Sequence, residues 1–401
     1  MRNLLIATLL LTLSCSGNPL YPWEKARESA PVFPDISIVG AYHRAPFEWT
    51  PERFASHVTY VDTAGTEHWL YGAFLFLEAK DVTHGRNFAV EPAGESARKD
   101  GWEDLLDRWV GPEGSVKALD DAVAAAAERL GAPSRKRQVV LMMPDPIRFA
   151  TFADKGSATD YWGEAAGRRL DFARTDDQLS AWRWFIDTAR GRMSSLQLRY
   201  TELAGFYILS EELHLPDGLT DAERVNWQHK NWEILIPGIA EYLHSLHEGL
   251  YWVPYHMAPG YRKWKELGFD QAWMQPNYYW DLHAPGRHPF EDTFRAMQEY
   301  GLGMEIEFEW SMVSEVMREV GAGPDGAGRM VFTPDDVPAL QDRLREYMHR
   351  FKAQGFYGKA PLAVYSGSDA MHQLATSKDP ADRPVYDELC QFILGNPLRE
   401  P

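Results

Sequence analysis

The segment Gly303–Phe308 reads GMEIEF and continues into Glu309 and Trp310. Its apolar and acidic residues alternate with a period of two, the spacing of a β-strand whose two faces meet different surroundings. Glu305, Glu307 and Glu309 share one face of this strand. In a closed parallel barrel one face of each strand packs against helices, so the acids are predicted to point into the barrel. A solvated edge strand is the alternative, but a barrel strand has no free edge.

Seven further short apolar runs have the length of strands. They are Ile36–Tyr42, Gly72–Leu77, Val139–Met143, Leu203–Leu209, Tyr251–Tyr255, Gln271–Gln275 and Leu362–Tyr365. Helical periodicity fills most of the gaps between the runs. It is clearest at Thr50–Val58, Asp120–Leu130, Asp177–Leu198, Asp221–Leu246, Pro289–Tyr300, Asp335–Phe351 and Asp382–Leu394. Eight strands that alternate with helices predict an α/β fold, a single (β/α)8 TIM barrel.

A doubly wound open sheet also alternates strands and helices. It would be favoured by a glycine-rich turn after the first strand. Here residues 41–46 read AYHRAP and contain no G-x-G-x-x-G, and the chain contains no Walker motif. The barrel is therefore favoured, and nucleotide binding loses its main support.

The charge balance limits the partners of this protein. Lys and Arg number 41 and Asp and Glu number 58, which gives a formal net charge of −17. This balance argues against binding to nucleic acid or to an anionic lipid surface, because both require clustered cations. The content of 45% hydrophobic and 25% charged residues is typical of a soluble globular protein. Aromatic residues make up 13%. Their flat apolar faces suit sugar rings, although most aromatic residues in any protein belong to the core.

The first residues have the pattern of a targeting segment. After a positively charged start, Leu4–Leu13 is an apolar run too short to span a membrane. The run ends in LTLSC, which resembles the lipobox of bacterial lipoproteins, with Thr12 where Leu is usual. The expected organisation is a signal peptide over 1–14, a lipidated Cys15 in a tether over 15–34, and a barrel domain over 35–398. Ordinary secretion is the second interpretation and a chance hydrophobic leader the third. Cys390 lies in a helical pattern and is predicted to be a small buried hydrophobe.

The fourth run supplies acids that oppose those of the seventh. Leu203–Leu209 is followed by Ser210, Glu211 and Glu212. Taken alone, these three residues are also compatible with a helix start, where a cap and early acids are favoured. Strands four and seven lie on opposite sides of a barrel mouth, however, so two carboxylates can meet there. Such a pair is the minimum requirement for hydrolysing a glycosidic bond. One carboxyl protonates the leaving oxygen, and the other attacks the anomeric carbon or activates water.

This arrangement resembles the large clan of retaining glycosidases whose acid/base ends strand four and whose nucleophile ends strand seven. The resemblance implies Glu211 as the acid/base, with Glu212 as the alternative, and Glu307 as the nucleophile. It implies Glu305, one step deeper, as an orienting or pKa-tuning carboxylate. Clan members usually have Asn immediately before the strand-four Glu, where this chain has Ser210. The contact of that Asn with the substrate 2-hydroxyl is therefore not implied here.

Four longer stretches carry a closer likeness, which covers about Ile36–Leu394. They are TYVDTAGTEHWLYGAFLFL (Thr59–Leu77), LAGFYILSEE (Leu203–Glu212), VPYHMAPGYRKWKELGFDQAWMQPNYYW (Val253–Trp280) and GLGMEIEFEW (Gly301–Trp310). They resemble a family of bacterial secreted barrel proteins catalogued as a domain of unknown function and regarded as glycosidase-like. The third stretch is the most specific. The likeness implies the barrel and its glutamate site, whereas family membership does not fix the substrate.

Polar and aromatic residues at the other strand ends are candidates for substrate binding, and a structural hydrogen bond is an equally good explanation for each polar one. The candidates are His43, Asp145, Tyr255, His256, Gln275, Asn277 and Tyr278, with Trp280 and Trp310 as sugar platforms. Trp252 and Trp273 lie inside strands and are expected to be core. Weaker candidates are Asp62, Glu78, Ser366 and Asp369.

The histidines form neither of the common zinc motifs. The chain has no H-x-H after the first strand and no H-E-x-x-H, and His244 and His247 have the pattern of a helix surface. Glu211, Glu305 and Glu307 could hold Ca²⁺ or Mg²⁺ through oxygen, so a metal-dependent hydrolase remains a third hypothesis, although no cofactor is expected. The sequence contains no G-x-S-x-G elbow.

Together these patterns predict a glycoside hydrolase that acts on an oligo- or polysaccharide outside the cytoplasmic membrane. The expected location is a lipid anchor on a bacterial membrane, or otherwise the periplasm or the exterior. A non-catalytic glycan-binding lipoprotein built on the same barrel is the main alternative.

Overall fold

A computed structural model describes residues 33–41, 48–91, 93–216, 231–284, 290–324 and 331–399. Contacts divide the chain into two units, Met1–Val32 and Phe33–Pro401, and every described residue lies in the second. The expected signal peptide and the lipidated Cys15 lie outside the described residues, as does the candidate His43. No helix in the described part is long and apolar enough to cross a membrane.

Eight parallel strands form a closed barrel. They are β1 (Ile36–Ala41), β2 (Ala73–Glu78), β3 (Arg137–Met143), β4 (Thr201–Ile208), β5 (Gly249–Trp252), β6 (Gln271–Met274), β7 (Gly303–Glu307) and β8 (Leu362–Tyr365). Each strand is hydrogen-bonded to the next in sequence, and β8 pairs with β1 to close the cylinder. Every strand falls on one of the eight predicted runs. The (β/α)8 TIM barrel is therefore confirmed, and the doubly wound sheet is wrong.

Helices surround this barrel. They are α1 (Pro51–Val58), α2 (Lys99–Val110), α3 (Ser115–Leu130), α4 (Thr175–Ser195), α5 (Trp232–Ser245), α6 (Phe290–Tyr300), α7 (Ser314–Val320), α8 (Val337–Ala353), α9 (Ala370–Thr376) and α10 (Asp382–Leu394). The seven predicted helices are all present, the one at Asp382–Leu394 with its predicted bounds and the others with at least one end shifted, although part of the one expected at Asp221–Leu246 lies outside the described residues. Helices α2, α7 and α9 were not predicted.

Short hairpins and 3-10 turns lie in the loops between these elements. Two-stranded antiparallel hairpins pair Thr59–Val61 with Glu67–Trp69, Lys80–Asp81 with Arg86–Asn87, Glu164–Ala165 with Arg168–Arg169, and Gly323–Pro324 with Val331–Phe332. Single 3-10 turns occur at Tyr261–Lys263, Trp310–Met312, Pro334–Asp336 and Pro397–Arg399.

The register of β7 determines which side chains enter the barrel. Gly303 pairs with Trp273 on β6, and the Trp273 ring lies 6.0 Å from the ring of Phe33 and 6.1 Å from that of Tyr251. These three rings fill the barrel near the amino ends of its strands. A Cβ on Gly303 would lie 2.4 Å from the Trp273 ring, so the glycine leaves room for the indole. Because successive strand residues alternate in direction, Glu305 and Glu307 point to the same side of β7 as Gly303, which is the inside of the barrel. They lie closer to the carboxyl ends of the strands than the three rings do.

Candidate active site

Glu305 and Glu307 are both buried, with 3% and 2% of their surface exposed. The predicted inward direction of these acids is confirmed, and the solvated edge strand is wrong. Glu309 follows the end of β7 and accepts a 3.1 Å hydrogen bond from the hydroxyl of Ser311. Burial of a carboxylate is unfavourable unless hydrogen bonds or opposite charges compensate, so the partners of each acid determine what it can do.

Glu307 accepts three hydrogen bonds. Its Oε2 atom accepts from the main-chain N–H of Asn277 and from the phenol of Tyr347, both at 2.7 Å. Its Oε1 atom accepts from the indole N–H of Trp280 at 3.1 Å. Burial raises the pKa of Glu307 to about 7, the three donors oppose that rise, and the charge of Glu211 adds to it. The donors therefore stabilise the charged form of a carboxyl that burial would otherwise keep neutral.

The chain after β6 brings two of these donors into place. Pro276 has no N–H to donate, so it is compatible with the end of the β6 hydrogen-bond ladder. Asn277 then adopts the left-handed conformation with φ of 54°, which Asn tolerates better than most residues. The same turn directs the Asn277 N–H at Glu307 and carries Trp280 to the other carboxyl oxygen. Asn277 acts here through its backbone.

Glu211 lies in the loop after β4. Residues 209–215 form no helix, so the alternative that Ser210 to Glu212 begin one is wrong. The loop is bound to the end of β5, because the indole of Trp252 donates to the Ser210 carbonyl at 2.7 Å and the Tyr255 N–H donates to the Glu211 carbonyl at 3.2 Å. Among the described residues, one side-chain donor reaches the carboxyl of Glu211, the amide of Gln275 at 3.1 Å from Oε1.

Glu211 and the adjacent Glu212 lie in different surroundings. Burial raises the pKa of Glu211, the Gln275 amide lowers it, and the charge of Glu212 raises it. Glu212 is exposed, and a 3.0 Å hydrogen bond with His214 lowers its pKa. Burial thus favours the protonated form of Glu211. Of the two acids, Glu211 has the environment of a proton donor.

No hydrogen bond from the described residues would compensate a buried charge on Glu305. It accepts no hydrogen bond from the residues that the structure describes, and burial together with the charges of Glu307 and Glu211 raises its pKa well above its ordinary value. The pKa values of Glu305 and Glu307 both respond to the charge of Glu211, so carboxyls from β4 and β7 come close enough to interact. Three such groups cannot all be ionised near neutral pH, and Glu305 is the one that stays protonated.

A fourth buried carboxyl lies after β3. Asp145 is 3% exposed, and its Oδ2 atom accepts a 2.7 Å hydrogen bond from the hydroxyl of Ser210, the residue before Glu211. Its Oδ1 atom is buried and has no hydrogen-bond partner among the residues that the structure describes. Burial raises the pKa of Asp145 to about 7 against the hydrogen bonds from Ser210. Ser210 therefore ties Asp145 to the loop that carries Glu211.

The remaining predicted residues are less directly connected to the glutamates. Tyr278 donates its hydroxyl to Glu346 on α8, and its ring lies 4.5 Å from that of Phe290. His256 lies 3.3 Å from the hydroxyl of Thr293 on α6. Trp310 is half-buried at the start of its 3-10 turn. Among the weaker candidates, Asp62 is hydrogen-bonded to His68, Glu78 pairs with Arg108 on α2, Asp369 pairs with Arg53 on α1, and Ser366 is buried. Contact of any of these residues with a substrate stays a prediction.

Trp252 and Trp273 are fully buried core residues, and Cys390 is buried, as predicted.

Tyr347 was not predicted. It lies on α8, outside the barrel, and is fully buried. In the sequence it occupies an apolar position of an amphipathic helix, a pattern that indicates core packing and gives no sign of a contact with the end of β7.

Two cavities of about 640 and 660 Å³ lie far from this site, around the carboxyl end of α4. The first is lined by residues such as Arg190, Thr201 and Glu248, at the amino ends of the strands, and the second by residues such as Asp107, Lys117 and Arg192. In TIM-barrel enzymes the active site lies at the opposite end, so the carboxyl cluster is the better candidate. Within the described ranges, no group of three or more His, Cys, Asp and Glu side chains could hold a metal ion.

The fold and the cluster define a TIM-barrel protein with two buried carboxyls on β7 and a half-buried one just after β4. The chain belongs to the family described as Domain of unknown function (DUF4855), whose model matches residues 37–320. No curated protein matches the chain. A crystal structure of a "putative alpha-L-fucosidase" from Bacteroides thetaiotaomicron VPI-5482 is similar, with 11% identity, a TM-score of 0.42, and coverage of 97% of this chain and 99% of that one.

Proposed function

We propose that the protein is a glycoside hydrolase that cleaves an oligo- or polysaccharide by a double displacement, with Glu307 as nucleophile and Glu211 as acid/base. The observation that supports this proposal is the difference in hydrogen bonding between the carboxyls of Glu307 and Glu211. Glu307 accepts three hydrogen bonds that stabilise its anion, whereas among the described residues only the Gln275 amide donates to the carboxyl of Glu211. A nucleophile and a proton donor need this difference at the same pH.

In the first step an oxygen of Glu307 attacks the anomeric carbon. The bond from that carbon to the leaving oxygen breaks, and the proton of Glu211 moves to the leaving oxygen, so that the alcohol departs neutral. The product is a glycosyl ester of Glu307 and an ionised Glu211. The charge that Glu307 loses on attack also favours ionisation of Glu211, because the two carboxyls interact.

In the second step Glu211 removes a proton from water, and the water oxygen attacks the anomeric carbon. The ester bond to Glu307 breaks, its carboxylate is restored, and Glu211 is protonated again. Two inversions give a sugar with the configuration of the substrate. Glu305, held neutral beneath the pair, adds no third charge to this site.

The same proposal includes a location for the protein. A signal peptide over 1–14 and a lipid on Cys15 would hold the barrel outside the cytoplasmic membrane, where polysaccharides are the abundant substrates of such an enzyme. Incorporation of labelled palmitate into the wild-type protein and its loss in Cys15→Ala test the anchor separately from the activity.

The experiment starts with a panel of 4-nitrophenyl glycosides and end-labelled oligosaccharides, on which the wild-type protein must release product. Glu307→Gly is then expected to lose turnover and to regain it with azide, forming a glycosyl azide of inverted configuration. Glu211→Gly is expected to keep activity on 4-nitrophenyl glycosides, whose leaving group needs little protonation, and to form an azide of retained configuration.

The matched control is Glu212→Gln, which changes an exposed carboxyl one residue away. It should preserve turnover and lower the basic limb of the pH profile slightly, because the charge of Glu212 raises the pKa of Glu211. Normal activity in Glu307→Gly or in Glu211→Gly on an unactivated oligosaccharide would contradict the roles assigned here. Calorimetric binding of glycans by the wild-type protein without any product would instead favour the non-catalytic receptor.

A further inference from the structure

Helix α8 runs outside the barrel, yet two consecutive turns of its inner face contact the segment after β6 that holds Glu307. This segment, Asn277–Asp281, carries the backbone donor and the indole that bind the carboxylate. The contacts from α8 come from Arg343, Glu346 and Tyr347.

Tyr347 is held as a hydrogen-bond donor to Glu307. Its oxygen accepts the main-chain N–H of Tyr279 at 3.2 Å, and its own hydrogen is therefore directed to Oε2 of Glu307 at 2.7 Å. A tyrosine hydroxyl has a single hydrogen to donate. The residue thus links α8 both to the segment and to the carboxylate.

Arg343 holds the same segment from its other end. Its guanidinium donates to the carbonyl of Tyr278 and, at 3.2 Å, to the carbonyl of Asp281. It also lies over the ring of Tyr278, 4.1 Å from the ring centroid. Arg343 is 8% exposed, so these contacts form away from most of the solvent and restrain the turn on both sides of Trp280.

The three hydrogen bonds on Glu307 are unequal. Oε2 accepts two short ones, from Asn277 and Tyr347, which occupy both of its lone-pair directions. Oε1 accepts a longer one, from Trp280 at 3.1 Å, and no second one from the described part of the chain, which leaves a lone pair for reaction. An oxygen whose lone pairs are both engaged is a poor nucleophile, so the geometry separates an anchored oxygen from a reactive one.

We propose that Tyr347 and Arg343 are positioning residues through which α8 anchors Oε2 of Glu307 and presents Oε1 as the attacking atom. The proposal rests on Glu307 being the nucleophile. It goes further in assigning the attacking oxygen and in giving an outer helix control over a carboxylate inside the barrel. Neither residue touches the substrate.

The test uses Tyr347→Phe and Arg343→Lys in the full chain, with Tyr357→Phe and Arg345→Lys as matched controls. Tyr357 donates to the Phe392 carbonyl, and Arg345 pairs with Glu388 and Asp342 on the outer side of α8. Two measurements are made on each variant. One is the carbon-13 titration of the Glu307 carboxyl, assigned by difference from Glu307→Gln, and the other is the pH profile of kcat/KM on a 4-nitrophenyl glycoside that the wild-type enzyme cleaves.

Tyr347→Phe is expected to raise the pH at which Glu307 titrates, because a donor to the anion is removed, and to move the acid limb of the pH profile upward with it. The loss in kcat/KM should be about 10- to 100-fold, the range for one hydrogen bond to a charged group. Arg343→Lys is expected to shift both measurements in the same direction, and the two control variants should leave both unchanged.

Unchanged titration of Glu307 in Tyr347→Phe overturns the inference, and so does an equal shift in the control variants. If Tyr347→Phe fails to fold, Arg343→Lys decides on the same criteria. The titration needs no substrate, so it separates the two proposals. A shifted titration in a protein that cleaves no glycan supports the positioning role of α8 and contradicts the hydrolase.

Discussion

The side-chain amide of Gln275 donates a 3.1 Å hydrogen bond to Oε1 of Glu211 and so joins the end of β6 to the loop after β4. Gln275 is itself fixed, because its N–H donates to the Pro254 carbonyl at 3.0 Å. The segment after β6 therefore serves both carboxyls, since Gln275 contacts one and Asn277 the other. The position of this segment therefore sets how the carboxyls of Glu211 and Glu307 face each other.

Replacing Gln275 by Met removes the amide donor with little change in volume. The bond from Gln275 lowers the pKa of Glu211 against burial, so its loss should raise that pKa. An acid that stays protonated to higher pH moves the basic limb of the kcat/KM profile upward, and a less firmly held Glu211 lowers kcat on unactivated substrates. The pH profile on an oligosaccharide measures both effects.

Gln271→Met is the control for this variant, because Gln271 lies on the same strand at its amino end and its amide donates to the Ala272 carbonyl. A basic limb that stays in place, or that moves downward, would show that Gln275 does not act on Glu211.

Glu305→Gln should be far milder than Glu307→Gln. Burial and the charges of Glu307 and Glu211 keep Glu305 protonated, and a carboxamide resembles a neutral carboxyl in shape and polarity. We expect kcat within about tenfold of wild type in Glu305→Gln and a loss of more than about a thousandfold in Glu307→Gln, because only the second removes a group that reacts. Initial rates across pH 5 to 9 compare them. Equal losses would mean that Glu305 works as an anion.

The alternation of residues along β7 was sufficient to predict the burial and direction of Glu305 and Glu307, because period two is a local property that a barrel strand cannot change without exposing apolar side chains. Glu211 was predictable for a related reason, since an apolar run that ends in acids marks the end of a strand. Gln275 and Trp280 also belonged to the predicted set, although their particular partners did not.

Asn277 was also in the predicted set, but its main-chain donation was not predictable from the sequence, and neither was the contact of Tyr347. Asn277 contributes a main-chain N–H whose direction depends on a left-handed turn, and Tyr347 comes from a helix 40 residues further along the chain than Glu307. Such contacts depend on how a loop and a helix pack, which no local pattern contains. Helices α7 and α9 were missed because each has only seven residues, too few to show a period of 3.6.

Two glycine substitutions should change stability in opposite directions. Gly205 has φ of 151°, next to a register shift in β4, and a Cβ there would lie 2.1 Å from the Gly249 carbonyl oxygen. Gly205→Ala should therefore lower the free energy of unfolding by about 2 kcal/mol or more, through strain and overpacking. Gly191 lies exposed inside α4 with open space around its Cα, so Gly191→Ala should raise it by about 0.5 to 1 kcal/mol.

Urea unfolding followed by circular dichroism gives both values. Because the two variants make the same chemical change, their difference measures the backbone environment alone. A stabilising Gly205→Ala would mean that β4 and β5 do not approach as closely as the barrel requires.

Asp145→Asn should remove a dependence of stability on pH. The pKa of Asp145 is about 7 in the folded protein and about 3.9 in an unfolded chain, so its ionisation opposes folding. Its contribution is fully present below the unfolded pKa and is lost as pH rises through 7, by up to about 4 kcal/mol. A carboxamide cannot ionise, so the stability of the variant relative to wild type should increase between pH 4 and pH 7.5 and then level off. Its buried amide shifts the whole curve without changing this slope. The pKa of Glu212 is lowered from 4.5, so Glu212→Gln should show a small slope of opposite sign that is confined to pH below about 4.5. Urea unfolding of the three proteins from about pH 3 to pH 7.5 measures these slopes, and parallel curves for wild type and Asp145→Asn between pH 4 and pH 7.5 would mean that Asp145 is solvated.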